Sequence, residues 1–259
     1  YMKFSILINC HNQHKYIYES ISHSLNQKYP NFEIIVVDSS NIKINYKKFL
    51  KYKNFKYFYL KEKYKYPEMN QMFKIMIGLK KTSGKYICLL DGDDKFSKEK
   101  IKKLAKIFRK DNIILNQDKP ILFGNNKKNI QTVKNYKKNF IFKKIFVSWP
   151  QVFGTSSITV KKNVLDQFFK DAKPFKWKYL AIDIQLLMFC DKKYYLTEKL
   201  EKITFKREHN NNLGSKYMNI FSKIFWIRRN CQHNYSNYIS GKKNYNFDYF
   251  FTYLVNKFL

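Results

Sequence analysis

Tyr86-Ile87-Cys88-Leu89-Leu90-Asp91-Gly92-Asp93-Asp94 is a short apolar run that ends in three carboxylates around one glycine. The whole chain carries only 19 Asp and Glu against 51 Lys and Arg, so three acids within four positions are not a compositional accident. An apolar run of this length, entered from Gly84 and closed by acids, reads as a buried strand. Polar residues at the carboxyl end of such a strand face the crevice in which open α/β sheets bind ligands. Hard carboxylate oxygens suit Mg2+ or Mn2+, an ion that keeps few protein ligands because substrate phosphates complete its shell. Gly92 lets the backbone come close to that ligand. The competing explanation is a surface D-G-D turn, and the strand in front of it argues against that.

Toward the N-terminus, Lys3 to Cys10 is another short, β-branched run, and it breaks at Asn9-Cys10-His11-Asn12. Ile17, Ile21 and Leu25 then recur at helical spacing until Pro30. Phe32 to Val37 forms a second continuous apolar strand and delivers Asp38-Ser39-Ser40-Asn41 at its end. Strand, helix and strand with short joints make a βαβ unit, hence a parallel sheet. Asp38 and the acids at 91–94 therefore belong to one crevice. Phe55 to Leu60 is a third strand, and Met69 to Thr82 a helix with Gly84 as its stop.

Beyond the acids, a helix opens at Ser97 and carries apolar residues at 101, 104, 105, 107 and 108. Residues 111–145 are rich in Lys and Asn and hold two short strand candidates, 121–123 and 140–142. Gly154-Thr155-Ser156-Ser157 feeds a strand over 158–160, followed by helices over 163–169 and 179–190. The second of these helices places Asp183 near its start, where an acid also simply suits the helix dipole. A late strand, Leu200 to Phe205, runs into Arg207-Glu208-His209.

The tail from 216 to 259 differs in kind, with two amphipathic stripes. The first is Ile220, Phe221, Ile224 and Phe225; the second is Phe247, Phe250, Phe251, Leu254, Val255 and Phe258. Packing against the body is the reading for the Phe247 stripe. A homodimer contact or an anionic membrane surface are the other two, the latter for Phe225-Trp226-Ile227-Arg228-Arg229.

The formal net charge of +32 invites a nucleic-acid reading. Arginine, however, occurs only at 109, 207, 228 and 229, and readers of phosphate and bases lean on its bidentate fork. Lysine accompanied by abundant Asn, Ile, Tyr and Phe fits codon bias in a genome rich in A and T, so no nucleic-acid partner is expected. The field still favours anionic ligands. Cys10, Cys88, Cys190 and Cys231 lie far apart with no C-x-x-C, which suggests neither zinc nor disulfides and fits a reducing cytoplasm. No signal peptide and no spanning apolar run are visible.

Four stretches taken together resemble family-2 glycosyltransferases with the GT-A fold: 5–12, 16–21, 25–38 and 84–94. Weaker similarity continues through Ser156-Ser157-Ile158, Asp183 and Arg207-Glu208-His209 to about residue 212. The resemblance implies an α/β fold, a Rossmann-like mixed, mainly parallel sheet flanked by helices, with a helical C-terminal appendage. It divides the chain into a GT-A domain over 1–215, with a nucleotide-sugar half (1–100) and an acceptor half (101–215), and the tail over 216–259. Asp38 and Ser40, with the loop of Asn9, His11 and Asn12, would hold the donor nucleoside. Asp91 and Gly92 would meet the donor, Asp93 would ligate Mn2+ or Mg2+, and His209 would join the metal or the diphosphate, a solvated loop being its alternative. Asp183 falls where the family carries its catalytic base. Three places depart from the family pattern: Ser39 stands where a second acid is common, Ile75-Met76 where an Arg-Asn pair is common, and Ile182 where a Glu usually precedes the base.

The expectation is a metal-dependent inverting hexosyl- or N-acetylhexosaminyltransferase. It would use a nucleotide sugar, UDP-linked, and a glycan or lipid-linked acceptor of a bacterial surface polysaccharide such as capsule or lipopolysaccharide. Its place would be the cytoplasm or the inner face of the membrane. The alternatives are a nucleotidyltransferase acting on sugar phosphates, which lacks the expected phosphate loop here, and a basic nucleic-acid-binding module.

Overall fold

All seven residues of β1 (Phe4–Cys10) are buried, as are all but the first of β2 (Phe32–Asp38), so both strands are covered on two faces. α1 (Ile17–Leu25) joins them. β3 (Phe55–Tyr59), α2 (Pro67–Leu79) and β4 (Tyr86–Asp91) follow, and β3, β2, β1 and β4 lie side by side, all parallel. Alternate side chains separate cleanly between the two faces. Leu7, Ile35, Val37, Ile87 and Leu89 pack with Met72, Ile75 and Leu79 of α2. Ile6, Ile8, Ile34, Val36, Cys88 and Leu90 pack with Ile17 and Ile21 of α1.

This computed structural model describes residues 1–109, 113–124, 131–132, 147, 149–193, 201–208, 217 and 219–258. After β4 come β5 (Lys95–Phe96), α3 (Lys100–Ile107), β6 (Leu115–Gln117), β7 (Lys119–Phe123), β8 (Gln131–Thr132) and β9 (Ile158–Lys161). α4 (Lys162–Asp171), α5 (Ile182–Lys193), β10 (Glu201–Arg207), α6 (Lys223–Ser240) and α7 (Phe247–Phe258) complete the described elements. The central sheet runs β3-β2-β1-β4-β9-β6, with β9 antiparallel to both neighbours. A second sheet, β5-β10-β7-β8, hangs from the acid-bearing end of β4 through β5.

Several elements differ from the sequence reading. β6 lies inside the Lys- and Asn-rich stretch; the apolar Ile113-Ile114-Leu115 leads into it, but its Asn116 and Gln117 are polar and nevertheless buried. The candidate at 140–142 lies outside the described residues. α2 ends at Leu79, five residues before Gly84. Gly84 is needed for another reason: a Cβ there would stand 2.6 Å from the Ser5 backbone N and 2.7 Å from the Phe4 carbonyl carbon.

The first tail stripe is split, because Ile220 and Phe221 precede α6 and are exposed. α6 instead runs on to Ser240 and sends Tyr235 and Ile239 into the same core cluster as α2, α4 and α5. α7 reverses the expected orientation. Its buried residues are Asp248 and Thr252, while Phe247 is 62% and Phe258 80% exposed. The cause is electrostatic: Asp248 accepts from Arg229 Nε at 2.9 Å and from the Val147 N–H at 2.9 Å, and pairs with His233 at 3.2 Å. Those bonds turn the polar face inward, so the Phe247 stripe does not pack against the body. Among the described residues no helix is long and apolar enough to cross a membrane. All four cysteines are unpaired.

Candidate active site

Parallel register builds the site. Asn9 lies opposite Asp91 across β1 and β4, and Cys10 opposite Asp38 across β1 and β2, so three strand ends deliver their polar residues to one edge. Asn9 Nδ2 donates to Asp91 Oδ1 at 2.7 Å and to the Leu90 carbonyl at 3.2 Å, while Gln71 Nε2 of α2 donates to the same Oδ1 at 2.8 Å. The Asp91 N–H donates to Ser156 Oγ at 2.9 Å. Burial pushes the Asp91 carboxyl up to about 6; the charges of Asp93 and Asp183 add to this, and the two amides oppose it.

The three acids divide their work. Asp94 is buried and accepts from Ser156 Oγ at 2.6 Å and from the Arg207 N–H at 2.7 Å. Burial, followed by the charges of Asp93 and Asp91, holds it well above the usual carboxylate range. It fastens the acid loop to β10 and to the 154–157 turn. Asp93 is half-buried, and its carbonyl accepts from Arg207 Nε at 3.0 Å. The crevice therefore keeps Asp91 and Asp93 as its acids, with Asp183 close enough for its charge to act on Asp91. Hard carboxylate oxygens brought together at a strand end fit a divalent cation. Among the described residues no three His, Cys, Asp or Glu side chains converge on one point.

At the end of β2, Asp38 is fully buried and accepts from the Ser40 N–H at 2.8 Å, Ser40 Oγ at 2.6 Å and the Tyr46 hydroxyl at 3.3 Å. Ser40 Oγ in turn accepts from the Asn12 N–H at 2.8 Å. Asn12 adopts φ +54, a left-handed conformation that Asn tolerates, and its Oδ1 accepts from the Asn41 N–H at 2.9 Å. His11 Nδ1 lies 2.9 Å from the Ser39 carbonyl and 3.2 Å from Glu62 Oε1. His11, Asn12, Asp38 and Ser40 thus form one bonded assembly at the ends of β1 and β2, while the Asn9 side chain bonds across to β4 instead.

Gly92 is crowded from inside the protein. A Cβ there would stand 2.5 Å from Gln13 Oε1 and 3.1 Å from Ile17 Cδ1, and its N–H donates to the Asn9 carbonyl at 3.0 Å. Asp183 sits in the first turn of α5, with Oδ1 accepting from the Ile184 N–H at 2.8 Å. His209 lies outside the described residues.

Three participants escaped the sequence. Gln71 sits on α2, where only its apolar neighbours carried signal. Lys74 is buried 3% exposed and donates to Ser39 Oγ at 2.9 Å; burial lowers its pKa while Glu62, Cys10, Asp38 and Asp91 raise it. It places a cation one residue before the missing Arg-Asn pair. Lys100 is wholly buried and donates to Asp118 Oδ1 at 2.8 Å, the Ser156 carbonyl at 3.0 Å and Thr204 Oγ1 at 2.6 Å. None of these residues is unusual in a lysine-rich sequence.

A parallel half-sheet with acids at its carboxyl edge, extended by antiparallel β9, defines the GT-A class of α/β folds. Glycosyl transferase family 2 matches residues 5–169, and the chain belongs to that family. A glycosyltransferase of Rickettsia bellii (strain RML369-C) is 28% identical over 166 residues, covering 60% of this chain and 23% of that protein. One from Rickettsia felis (strain ATCC VR-1525 / URRWXCal2) is 28% identical over 164 residues, covering 60% and 26%. The chain spans about a quarter of the length of these relatives. Among solved structures, S. aureus TarS 1–349 in complex with UDP superposes with a TM-score of 0.61 at 18% identity, covering 90% of this chain and 65% of that one. Mannosyltransferase PcManGT from Pyrobaculum calidifontis in complex with GDP-Man and Mn2+ gives 0.55 at 12%, covering 89% and 61%.

Proposed function

We propose that the chain carries a metal-dependent, inverting glycosyl transfer from a nucleotide sugar, UDP-linked, to a glycan or lipid-linked acceptor of a surface polysaccharide. One observation carries the reading: Asp91 ends β4 in register with Asn9, Asp93 follows two residues on, and Asp183 of α5 lies near enough for its charge to be felt by Asp91. Family membership and the solved TarS complex with UDP-GlcNAc support a nucleotide-sugar donor.

In this mechanism the Asn9–Asn12 loop, Asp38 and Ser40 receive the nucleoside, and Asp91 and Gly92 line the path of the donor. Asp93, with His209, would hold Mn2+ or Mg2+, which when bound offsets the charge of the diphosphate. Asn9 and Gln71 fix the Asp91 carboxylate in one orientation. Asp183 takes the proton of the acceptor hydroxyl as that oxygen attacks the anomeric carbon; the bond from this carbon to the diphosphate breaks, and its electron pair leaves with the diphosphate. Attack from the face opposite the leaving group inverts the anomeric centre. Residues 1–215 form the transferase domain in this reading, with 216–259 as its helical continuation. The exposed Phe247 face of α7 suits a peripheral membrane contact or a homodimer.

The test is hydrolysis of a panel of nucleotide sugars with and without Mn2+ by the native chain and Asp93→Ala. Metal-stimulated release of nucleotide by the native chain alone is expected. Absence of both turnover and any nucleotide-dependent thermal shift overturns the assignment.

A further inference from the structure

The chain has four arginines. Where Lys is the default cation, Arg marks positions that need a fixed, forked donor. Arg207 binds Glu19 and Arg229 binds Asp248, so each spends its fork on a carboxylate of the chain. Arg228 does not. Its guanidinium lies over the ring of Tyr217, 4.3 Å from the centroid, and its Nε makes no hydrogen bond among the described residues. Burial lowers its pKa, while the charges of Asp183, Tyr217 and Glu68 favour its protonated form. A desolvated donor left unsatisfied costs free energy that a ligand can recover.

The surroundings are those of a saccharide site. Tyr217 is buried and donates from its hydroxyl to Glu68 Oε1 of α2 at 2.6 Å, which fixes the ring under Arg228. Nearby, Tyr66 at the start of α2 and Tyr179 just before α5 stand edge to face with centroids 5.7 Å apart. Lys178 is exposed and reaches over both, 5.1 Å from one ring and 5.2 Å from the other. The pair and Arg228 are linked through Cys231, one turn along α6 from Arg228; the Cys231 thiol is pushed up to about 11 by burial and feels Tyr179, Lys178 and Arg228. Arg228 thus stands within charge range of Asp183, and Lys178 with the Tyr66–Tyr179 pair stands just ahead of α5, whose first turn carries Asp183.

We propose that Arg228 and Lys178 form the anion-recognising wall of an acceptor subsite beside Asp183, so that the acceptor is a saccharide bearing a carboxylate or phosphate. The proposal rests on the transferase reading for the word acceptor, but the binding it predicts does not need turnover. The helical tail then completes the site through α6 instead of merely covering the body.

Titration calorimetry of the full chain in metal-free buffer tests it, with glucuronate, glucose 1-phosphate and glucose as probes. Both anions should bind and glucose should not. Arg228→Gln and Lys178→Gln should each weaken anion binding by about tenfold, as expected for a charged hydrogen bond, with Arg228→Lys intermediate. Lys103→Gln, an exposed lysine on α3, controls for bulk charge and should change nothing. Were Arg228→Gln to misfold, the exposed Lys178 decides. Equal anion binding in Lys178→Gln and Lys103→Gln overturns the proposal, as does binding lost in Asp93→Ala and kept in Arg228→Gln, which would put the anion on the donor side. Failure of the transferase reading is seen separately, as absent donor hydrolysis by the native chain.

Discussion

Lys100 and Asp118 form an ion pair with no exposure on either side chain, Nζ to Oδ1 2.8 Å. The same ammonium holds the Ser156 carbonyl and Thr204 Oγ1, so it joins the central sheet, the 154–157 turn and the second sheet at one point. Removing one partner leaves the other charged and buried, which costs about 3–5 kcal/mol. Lys100→Met should therefore lose about that much in urea unfolding, and Lys100→Met with Asp118→Leu should regain a large part. An unchanged midpoint for the single variant would show that the pair is not felt in the folded state.

Gln71 is half-buried, donates to Asp91 and Thr155, and belongs to neither core cluster. Gln71→Leu should leave the melting temperature nearly unchanged. It should weaken metal-supported donor turnover by about 10–100-fold, the usual penalty for losing a residue that orients a metal-site carboxylate. Parallel titrations of Mn2+ in native and variant protein read this out, and equal half-saturation would exclude an orienting role.

Gly84 faces backbone, which cannot swing aside as a side-chain tip can. Gly84→Ala must push the 82–85 turn away from β1, and overpacking of this kind costs about 1–3 kcal/mol. A thermal shift downward by several degrees is expected. A neutral substitution would mean that the 82–85 turn relocates freely.

Burial alone would raise the pKa of Asp248, yet hydrogen bonds from His233, Arg229 and the Val147 N–H hold it well below the usual carboxylate range. The sign follows from linkage: a depressed folded value gives stability that is fully present above the unfolded value, about 3.9, and is lost as pH falls through the folded one. Docking of α7 onto α6 should thus be insensitive to pH from about 7 down to 4 and fail below that. Trp149, whose indole meets His233 at 5.0 Å, supplies the fluorescence signal. Asp248→Asn should abolish the acid step and lower the neutral plateau.

The β1–α1–β2 unit, β4 and its acids were legible because a strand buried on both faces is spelled as an unbroken apolar run. The fold class followed from those runs and their order. The acid cluster at 91–94 stood out because acids are rare in this chain, whereas Asp183 was singled out by the family resemblance alone. β6 was not, since its Asn116 and Gln117 are buried through tertiary contacts that no local pattern records. Gln71, Lys74 and Lys100 were hidden for the opposite reason, being ordinary helix residues whose partners come from strands 18 to 104 positions away. The orientation of α7 was misread because hydrophobic periodicity says which residues share a face and nothing about which face docks. One buried aspartate settled that.

Ser156 has a single hydroxyl hydrogen, and it is committed to Asp94 while the oxygen receives the Asp91 N–H. Two acids of the first half of the chain are therefore coupled through one atom supplied by the second half. Any displacement of the acid loop on loading a donor must drag the 154–157 turn with it or break that relay. The information that a donor has arrived thus has a mechanical route across the crevice, and its width is one oxygen.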